Sequence, residues 1–304
     1  MRDLFSEGLL YLDLLEVYGS SHVVGEVCGI AQSNAYRGAR ACAKILNLDL
    51  EKRDGVYQAA RNLDVQRDLR AVAQRLRARE GGRLRLVAEP WAEAGQLRLP
   101  SELVQPLPKR WLSARHSLAL LEQGLLDALL GSRLDLAAAL GVTTTLPLSR
   151  PQACDPYGIL ALSEDPVLLY SDPNHPLQRQ ANVDWHDLKA YPSPALAVDA
   201  DSVYAQECTR LNLWNQPVTD KFLQPGAWES LVEDQATVVP STARAVAFAQ
   251  TIHPDLQISP LNLSTGLIDQ DLLIFPLALA REPRLQELIR VVHAAYQTNT
   301  KLSS

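Results

Sequence analysis

The chain contains 304 residues, 47% of them apolar and 21% charged, which is the composition of a globular protein with a sizeable core. This composition excludes a disordered, collagen-like or disulfide-framework protein, and the length favours two domains. The net charge of −6 is unevenly spread, with +1 over residues 1–82 and −7 over residues 83–304, so only the N-terminal part is suited to facing a polyanion.

Targeting and metal signals are lacking in the sequence. No stretch reaches the roughly 18 uncharged apolar residues of a membrane helix, and four acidic residues among the first sixteen argue against an export signal. We therefore expect a cytoplasmic protein without membrane contact. The cysteines and histidines lack metal-ligand spacing, so we expect no metal and no cofactor. Buried, inert thiols are expected at Cys28, Cys42, Cys154 and Cys208.

The first predicted element is an amphipathic helix over residues 6–18. Apolar residues recur at spacings of four and three between Leu10 and Val17, which indicates one buried face. Asp13 and Glu16 fall on the other side of this helix. Gly19 and the serines after it end the helix and offer caps for the next one.

Two further helices, over residues 23–28 and 30–46, are separated by Gly29. A helix-turn-helix needs a small residue where the second helix crosses the first, a turn residue that accepts positive φ, and small or apolar residues facing inward. Those needs are met in register by Gly25, Gly29, Ile30 and Ala35.

The later of these two helices carries positive charge without any acid. Three basic residues alone are typical of an ordinary solvated helix face, but their register with the glycine turn favours a nucleic-acid-binding helix instead. The basic residues are Arg37, Arg40 and Lys44, and the first turn presents Gln32, Ser33 and Asn34.

The next unit, residues 56–80, contains a long helix with a narrow apolar seam over two heptads. Such a seam favours pairing with a second copy of the chain, and packing onto the same chain is the alternative. The seam residues are Val65, Leu69, Val72 and Leu76.

Beyond Gly81 and Gly82, which form the clearest linker, short apolar strands alternate with helices. This alternation predicts an α/β domain with mostly parallel sheets. The predicted strands are residues 84–88, 109–113, 134–140, 167–170, 196–198, 237–239 and 272–275, and the predicted helices include 118–130, 202–213 and 285–296.

Together these features resemble a LysR-type transcriptional regulator. The match runs without a gap from Leu12 to Arg53, and the segment from Gly124 to Ala137 is similar to a helix, turn and strand of the family's effector domain. The N-terminal pattern falls on Leu12, Gly19-Ser20, Val24-Gly25, Cys28, Ala31-Gln32 and Leu50-Glu51-Lys52-Arg53. Its spacing holds throughout, while several identities differ.

The resemblance implies a winged helix-turn-helix over residues 1–60 and a dimerisation helix with a hinge over 61–82. It also implies a two-lobed α/β effector domain over 83–304, similar to periplasmic binding proteins, with lobe I at 83–163 and 264–304 and lobe II at 164–263. Double-stranded DNA is the implied partner of a homodimer or homotetramer. Bases would be approached by Gln32, Ser33, Asn34 and Tyr36, and phosphates would be held by Ser20, Arg37, Arg40 and Arg53.

A small-molecule effector is expected between the two lobes. Glu89 and Glu93 follow the first strand of this domain and favour a neutral, aromatic-stacking or cationic effector over an anionic one. The candidate effector-binding residues are Trp91, Thr143, Thr144 and Ser202.

No catalytic motif is found along the chain, so we expect no enzymatic activity, although an enzyme on a similar fold is an alternative. The sequence therefore predicts a DNA-binding transcriptional regulator controlled by an effector. A ligand- or partner-binding homologue, in which the helix-turn-helix is only structural, is the second interpretation.

Overall fold

This computed structural model describes a chain whose secondary structure changes character after residue 82. The residues that it describes are 7–53, 56–88, 97, 99–105, 114–142, 144–196, 198–217, 228–233 and 236–300. Among them, no helix has both the length and the apolar character that a bilayer crossing requires.

The N-terminal part begins with three helices and an antiparallel strand pair, followed by a long helix. The three helices confirm the prediction, with ends shifted by a few residues, while the region from residue 56 begins with a strand rather than a helix. The elements are α1 (Leu9–Tyr18), α2 (Ser21–Cys28), α3 (Gln32–Ile45), β1 (Leu50–Arg53), β2 (Val56–Ala59) and α4 (Leu63–Ala78).

Helix α1 is buried on every side, although the sequence predicts one solvent-facing side. Asp13 and Glu16 are 1% and 5% exposed. The prediction is wrong because the partners of these acids lie more than 50 residues away in sequence, on Arg70 and Arg85. The buried carboxylates are compensated by guanidinium groups that a local pattern does not reveal.

The rest of the described chain forms two sheets. A six-stranded sheet has the order β4-β3-β5-β11-β7-β6, and a three-stranded sheet has the order β10-β8-β9. Only β3–β4 and β3–β5 are parallel among the described pairs, so the prediction of mostly parallel sheets is wrong. The strands are β3 (Leu84–Ala88), β4 (Val104–Gln105), β5 (Ala128–Ser132), β6 (Gln152–Cys154), β7 (Tyr157–Ala161), β8 (Asp165–Ser171), β9 (Val239–Thr242), β10 (Ser259–Asp269) and β11 (Asp271–Pro276).

Five helices accompany these sheets, and several differ from the sequence prediction. They are α5 (Ala114–Glu122), α6 (Arg133–Leu140), α7 (Val203–Arg210), α8 (Ala243–Ile252) and α9 (Pro283–Thr300). Predicted strand 134–140 is therefore a helix, and the second half of predicted helix 118–130 is a strand. Residues 196 and 198 form no strand, strand 237–239 begins only at Val239, and residues 109–113 lie outside the described part.

The exchange of helix and strand near residue 130 has a local cause. Ser132 has extended backbone angles and Gly141 has a φ of 68°, so the two residues frame one short helix between them. Strand β5 is buried at every position and shows no alternation of polar and apolar residues. A continuous apolar run of this length does not distinguish a buried strand from a buried helix.

The hydrophobic core of the N-terminal helices is continuous with one face of the six-stranded sheet. One cluster contains Leu12 and Leu15 of α1 together with Leu120 of α5 and Ile274 of β11. A second cluster lies under the three-stranded sheet, and a third lies between the other face of the six-stranded sheet and α9. The N-terminal unit is thus packed onto the α/β part rather than merely tethered to it.

The glycine pair after α4 is a tight helix end rather than an open linker. Gly81 has a φ of 78°, and a Cβ atom on Gly82 would lie 2.2 Å from the carbonyl oxygen of Arg77. Only glycine allows the chain to turn this closely past the helix end and enter β3.

Of the four free cysteines, Cys42 and Cys208 are buried, as expected, and Cys28 and Cys154 are half-buried, contrary to the prediction. Burial raises the pKa of Cys42 to about 11, which keeps that thiol protonated at neutral pH.

Candidate nucleic-acid interface and effector cleft

The turn between α2 and α3 is as tight as the sequence predicts. A Cβ atom on Gly25 would lie 2.8 Å from the carbonyl oxygen of Ile30, so only glycine lets the two helices approach this closely. Gly29 ends α2 with a φ of 65° in the left-handed region. Ala35 and Ala39 are buried and turn one face of α3 inward. The opposite face of α3 is therefore fixed toward solvent.

That outward face carries most of the predicted DNA-binding residues. Gln32, Ser33, Arg37, Arg40 and Lys44 are exposed. Because this face holds three cations and no acid, it suits the phosphate backbone of a nucleic acid.

Two side chains on this face are oriented before any ligand binds. The Arg37 guanidinium donates from Nη2 to Asn34 Oδ1 at 2.7 Å and from Nε to the Ser33 carbonyl oxygen at 3.2 Å. Gln32 Nε2 donates to Ser21 Oγ at 3.1 Å, which joins the start of α3 to the start of α2. Such bonds reduce the conformational entropy that these side chains lose on binding.

Tyr36 lies between α3 and the strand pair instead of projecting freely into solvent. Its ring centroid is 6.1 Å from that of Tyr57 on β2, and the Arg40 guanidinium lies 5.9 Å from the Tyr36 ring. Lys52 of β1 extends this series, with Nζ 5.4 Å from the Tyr57 ring. One cation therefore lies at each end of a pair of aromatic rings that connects α3 to the strand pair.

The two remaining predicted phosphate contacts lie at the edges of this region. Ser20 is half-buried directly before α2, and in the described structure its side chain makes no capping hydrogen bond. Arg53 is the last residue of β1, and only its backbone is described, paired with Val56.

Gly38 is a determinant of this unit whose role is not evident from the sequence. Glycine inside a helix costs about 1 kcal/mol relative to alanine. Here a Cβ atom on Gly38 would lie 2.6 Å from Cδ2 of Tyr11, so the missing side chain makes room for that ring. The signal is the presence of glycine in an otherwise regular helix, but its partner is 27 positions away and cannot be identified locally.

Helix α4 exposes its apolar seam and buries a polar face. Val65, Val72 and Leu76 are 44%, 59% and 59% exposed, and Leu69 is half-buried against the core. Three of the four seam residues are thus exposed in the described part of the chain, and one packs onto it. The face that packs inward carries Gln66, Arg70, Gln74 and Arg77.

A buried network of charges holds that polar face in place. Asp13 Oδ1 accepts from Arg70 Nε at 2.9 Å, and Asp13 Oδ2 accepts from Arg85 Nη1 at 3.1 Å. Arg70 also pairs with Glu16 at 2.8 Å, although burial raises the pKa of this carboxyl. The network therefore connects α1, α4 and β3.

A second part of the network connects α4 to the residues directly before strand β5 of the six-stranded sheet. Arg77 makes a bidentate contact with Asp127, with Nε to Oδ2 at 2.8 Å and Nη2 to Oδ1 at 2.9 Å. Gln74 Nε2 donates to the Leu126 carbonyl oxygen at 2.6 Å. Bidentate arginine–carboxylate pairs are among the stronger polar contacts in proteins, so α4 is held firmly to this sheet.

The predicted effector-binding residues have different surroundings. Ser202 is buried and its hydroxyl accepts from the Ala205 amide at 3.1 Å, which caps α7. Thr144 is exposed after the C-terminal end of α6, where carbonyl groups rather than amides are free. The sequence predicts a strand over residues 134–140 before Thr144, whereas this segment is part of helix α6, so Thr144 does not follow a strand. Trp91 and Thr143 lie outside the described residues.

The start of α5 is joined to the segment before α7 by ionic contacts. The backbone amide of Arg115 donates to Asp199 Oδ2 at 3.0 Å, and its guanidinium pairs with Asp201. Asp135, in the first turn of α6, is 5% exposed, and burial raises its pKa strongly, with further contributions from Asp269 and Asp199. This region is therefore rich in carboxylates.

Comparison with solved structures gives matches over nearly the whole chain. A full-length OxyR variant from Pseudomonas aeruginosa has a TM-score of 0.57 at 15% identity, covering 98% of this chain and 95% of that one. A probable transcriptional regulator from the same organism has a TM-score of 0.53 at 15% identity, covering 94% and 95%. CbnR in complex with its target DNA has a TM-score of 0.51 at 14% identity, covering 95% and 98%.

A scan against protein-family models and a search of curated proteins both find no match. The structural likeness, at identities this low, concerns the fold. The chain has the fold of full-length LysR-type regulators, as its sequence resemblance predicts.

Proposed function

We propose that this chain is a sequence-specific, DNA-binding transcriptional regulator of the LysR type. The observation that carries the proposal is the outward face of α3, which presents cations without an acid at the position that the glycine turn fixes. Its support is the fold likeness to a protein solved on its target DNA. This function is allosteric rather than chemical.

In this proposal the two strands β1 and β2 are the wing of a winged helix-turn-helix, and α3 enters the major groove. Gln32, Ser33 and Asn34 would contact base edges, because amide and hydroxyl groups read donor and acceptor patterns there. Tyr36 would orient Arg40 from its position against the wing. Phosphates would be held by Ser20, Arg37, Arg40 and Arg53.

The exposed seam of α4 would pair with a second copy, as a homodimer or as part of a homotetramer. The residues involved would be Val65, Leu69, Val72 and Leu76. A dimer places two recognition helices in successive major grooves, roughly 34 Å apart on a pseudo-palindromic site.

The effector would bind between two lobes, one built on the six-stranded sheet and the other on the three-stranded sheet. The acidic side chains near this region, with Asp199 among them, favour a neutral or cationic molecule over an anion. Trp91, Thr143 and Thr144 remain candidates for contacting it, while Ser202 would act through its capped helix. A change in lobe closure would then alter the spacing or bend of the bound DNA.

The test is fluorescence anisotropy with DNA from upstream of the protein's own gene and with a scrambled duplex, at low and near-physiological salt. We expect tighter binding to the upstream DNA that persists at the higher salt. Arg37→Ala should weaken binding to both duplexes and reduce the salt slope by about 1, whereas Gln32→Ala should weaken only the specific complex. Arg281→Ala, at an exposed position far along the chain, is the control.

Absence of binding, or binding that salt abolishes equally for both duplexes, would contradict the proposal. It would favour the second interpretation, a partner-binding homologue in which the helix-turn-helix is structural. The observation that supports this second interpretation is the hydrophobic core that α1 shares with the six-stranded sheet, because this core gives the N-terminal helices a structural role.

The dimer is tested separately by light scattering. Val72→Lys places a charge in the seam and should halve the mass of a dimer, because burying an unpaired charge is costly. Ala71→Lys adds the same charge at an exposed neighbouring position of α4 outside the seam and should leave the mass unchanged. An unchanged mass in both variants would refute pairing along α4.

A further inference from the structure

A cavity of about 310 Å³ lies where the N-terminal unit meets the α/β part. Its walls come from α1, β2, α4 and α5, so it is distinct from the region between the two sheets where an effector is proposed. Its size falls within the range of small-molecule sites. The buried side of the cavity contains Glu16, Gln66 and Arg70, and the outer rim contains Gln58, Arg67 and Gln123.

The charges around this cavity favour an anion. Glu16 is the only carboxylate among its described lining residues, and it is already paired with Arg70. Behind the cavity floor, Asp13 compensates Arg70 and Arg85, so the buried group of two acids and two arginines has no net charge. Arg67 forms no ion pair within the described part of the chain, and its positive charge lies at the rim.

Arg70 offers a second feature that suits a carboxylate. Its Nη1 atom contacts Gln123 Oε1 at 3.4 Å, which is long for a hydrogen bond. A ligand carboxylate is a charged acceptor and would form a shorter, stronger bond in place of this amide oxygen. Gln123 is exposed and can turn away without loss of packing.

The remaining wall is mostly apolar, and it also includes the half-buried His116 of α5. Leu63 of α4, Ala59 of β2, and Ala119 and Leu120 of α5 line it, next to the ring of Tyr57. These groups would contact a small hydrocarbon or aromatic body rather than a second charge. The lining therefore combines one end that contains Arg67 and the Arg70–Glu16 pair with one mostly apolar side.

We propose that this cavity binds a small monocarboxylate with a compact apolar body, held by Arg67 and by Arg70 in place of Gln123. The ligand would contact the wing strand, the seam helix and α5 at once. Its occupancy would thus stabilise the docking of the DNA-binding unit on the α/β part, independently of any effector between the lobes.

The test is isothermal titration calorimetry of the full chain with benzoate and hexanoate, and with benzamide and hexanamide as uncharged counterparts. We expect one acid molecule per chain and binding of the amides that is weaker by about tenfold. Arg67→Gln should weaken binding by about threefold, since an exposed charge contributes modestly. Gln123→Glu, which adds a negative charge beside Arg70, should weaken it by at least about tenfold.

Arg75→Gln removes an exposed arginine of the same helix and should leave the affinity unchanged. Both rim positions are exposed, so the variants should remain folded, as circular dichroism would verify. The proposal is overturned if neither acid binds or if the amides bind equally well. Affinities that are the same in all three variants would place the ligand elsewhere, for example between the lobes, and would also overturn it.

Discussion

Replacing Asp13 with alanine should lower the free energy of unfolding by about 3 kcal/mol, because it leaves two buried guanidinium groups without their shared partner. Asp13 is 1% exposed, and the side chains of Arg70 and Arg85 are 3% and 4% exposed. One carboxylate thus pairs with cations from two different elements. Water cannot take its place without opening the core.

The size of this loss of stability depends on the contacts that each arginine keeps after Asp13 is replaced. Removing one partner of a buried ion pair costs about 3–5 kcal/mol. Arg70 keeps Glu16 at 2.8 Å, which reduces its share of the loss. Among the described residues, Arg85 keeps a 3.4 Å contact from Nη1 to the Leu125 carbonyl oxygen and the attraction of Asp127, while burial and Arg77 lower its pKa. The lower end of the range is therefore expected, with most of the loss at Arg85.

Urea unfolding at pH 7, followed by circular dichroism, measures this loss if the slope with denaturant is unchanged. Asp64→Ala removes an exposed carboxylate from the first turn of α4 and should change the unfolding free energy by at most about 0.5 kcal/mol. If Asp13→Ala were no more destabilising than Asp64→Ala, the buried network would not hold the N-terminal unit onto the sheet.

Two further changes test other features of the fold. Burial raises the pKa of Glu229 from 4.5 to about 7, so the folded chain binds the extra proton between these values and loses stability as pH rises through them. Glu229→Gln should remove this part of the dependence of stability on pH. The free energy of unfolding of the variant in urea, relative to that of the wild type, should therefore rise by up to about 3 kcal/mol from pH 4 to pH 8. Parallel plots of unfolding free energy against pH for the two proteins would refute this prediction. Gly38→Ala should destabilise by about 1–3 kcal/mol despite the better helix propensity of alanine. In a Tyr11→Ala background the same change should stabilise the protein, and additive losses in thermal unfolding would exclude the ring as the cause.

The helix-turn-helix could be predicted because its determinants are local. Gly25 and Gly29 each satisfy a backbone requirement set within five residues along the chain, and the structure shows both requirements met. The positions of the cations on α3 follow from helical periodicity alone. What the pattern could not supply is the placement of Tyr36 against Tyr57, since that contact depends on where the strand pair folds back.

The errors arise where distant partners decide the outcome. The local pattern predicts Asp13 at the surface because an isolated helix with two acids is amphipathic, yet Arg85, 72 positions later, makes its burial favourable. The sequence predicts a strand at residues 134–140 because one apolar run covers both the true strand and the helix that follows it. Strands β3 and β11 lie on either side of Ala128–Ser132 in the sheet, and this pairing decides which half of the run is extended.

The sequence identifies the faces of helix α4, but it does not reveal which face packs onto the rest of the chain. The helical periodicity correctly separates the apolar seam from the other faces. In the structure it is the charged face of α4 that packs onto the same chain. Three large apolar side chains left in solvent are unfavourable for an isolated chain, and a second copy packed along them would remove this cost. Because the charged face is fixed to both α1 and the six-stranded sheet, a rotation of α4 would carry α3 and the α/β part together. A proposed effector signal would then reach DNA through the arrangement of the two copies rather than through bending at Gly81 and Gly82.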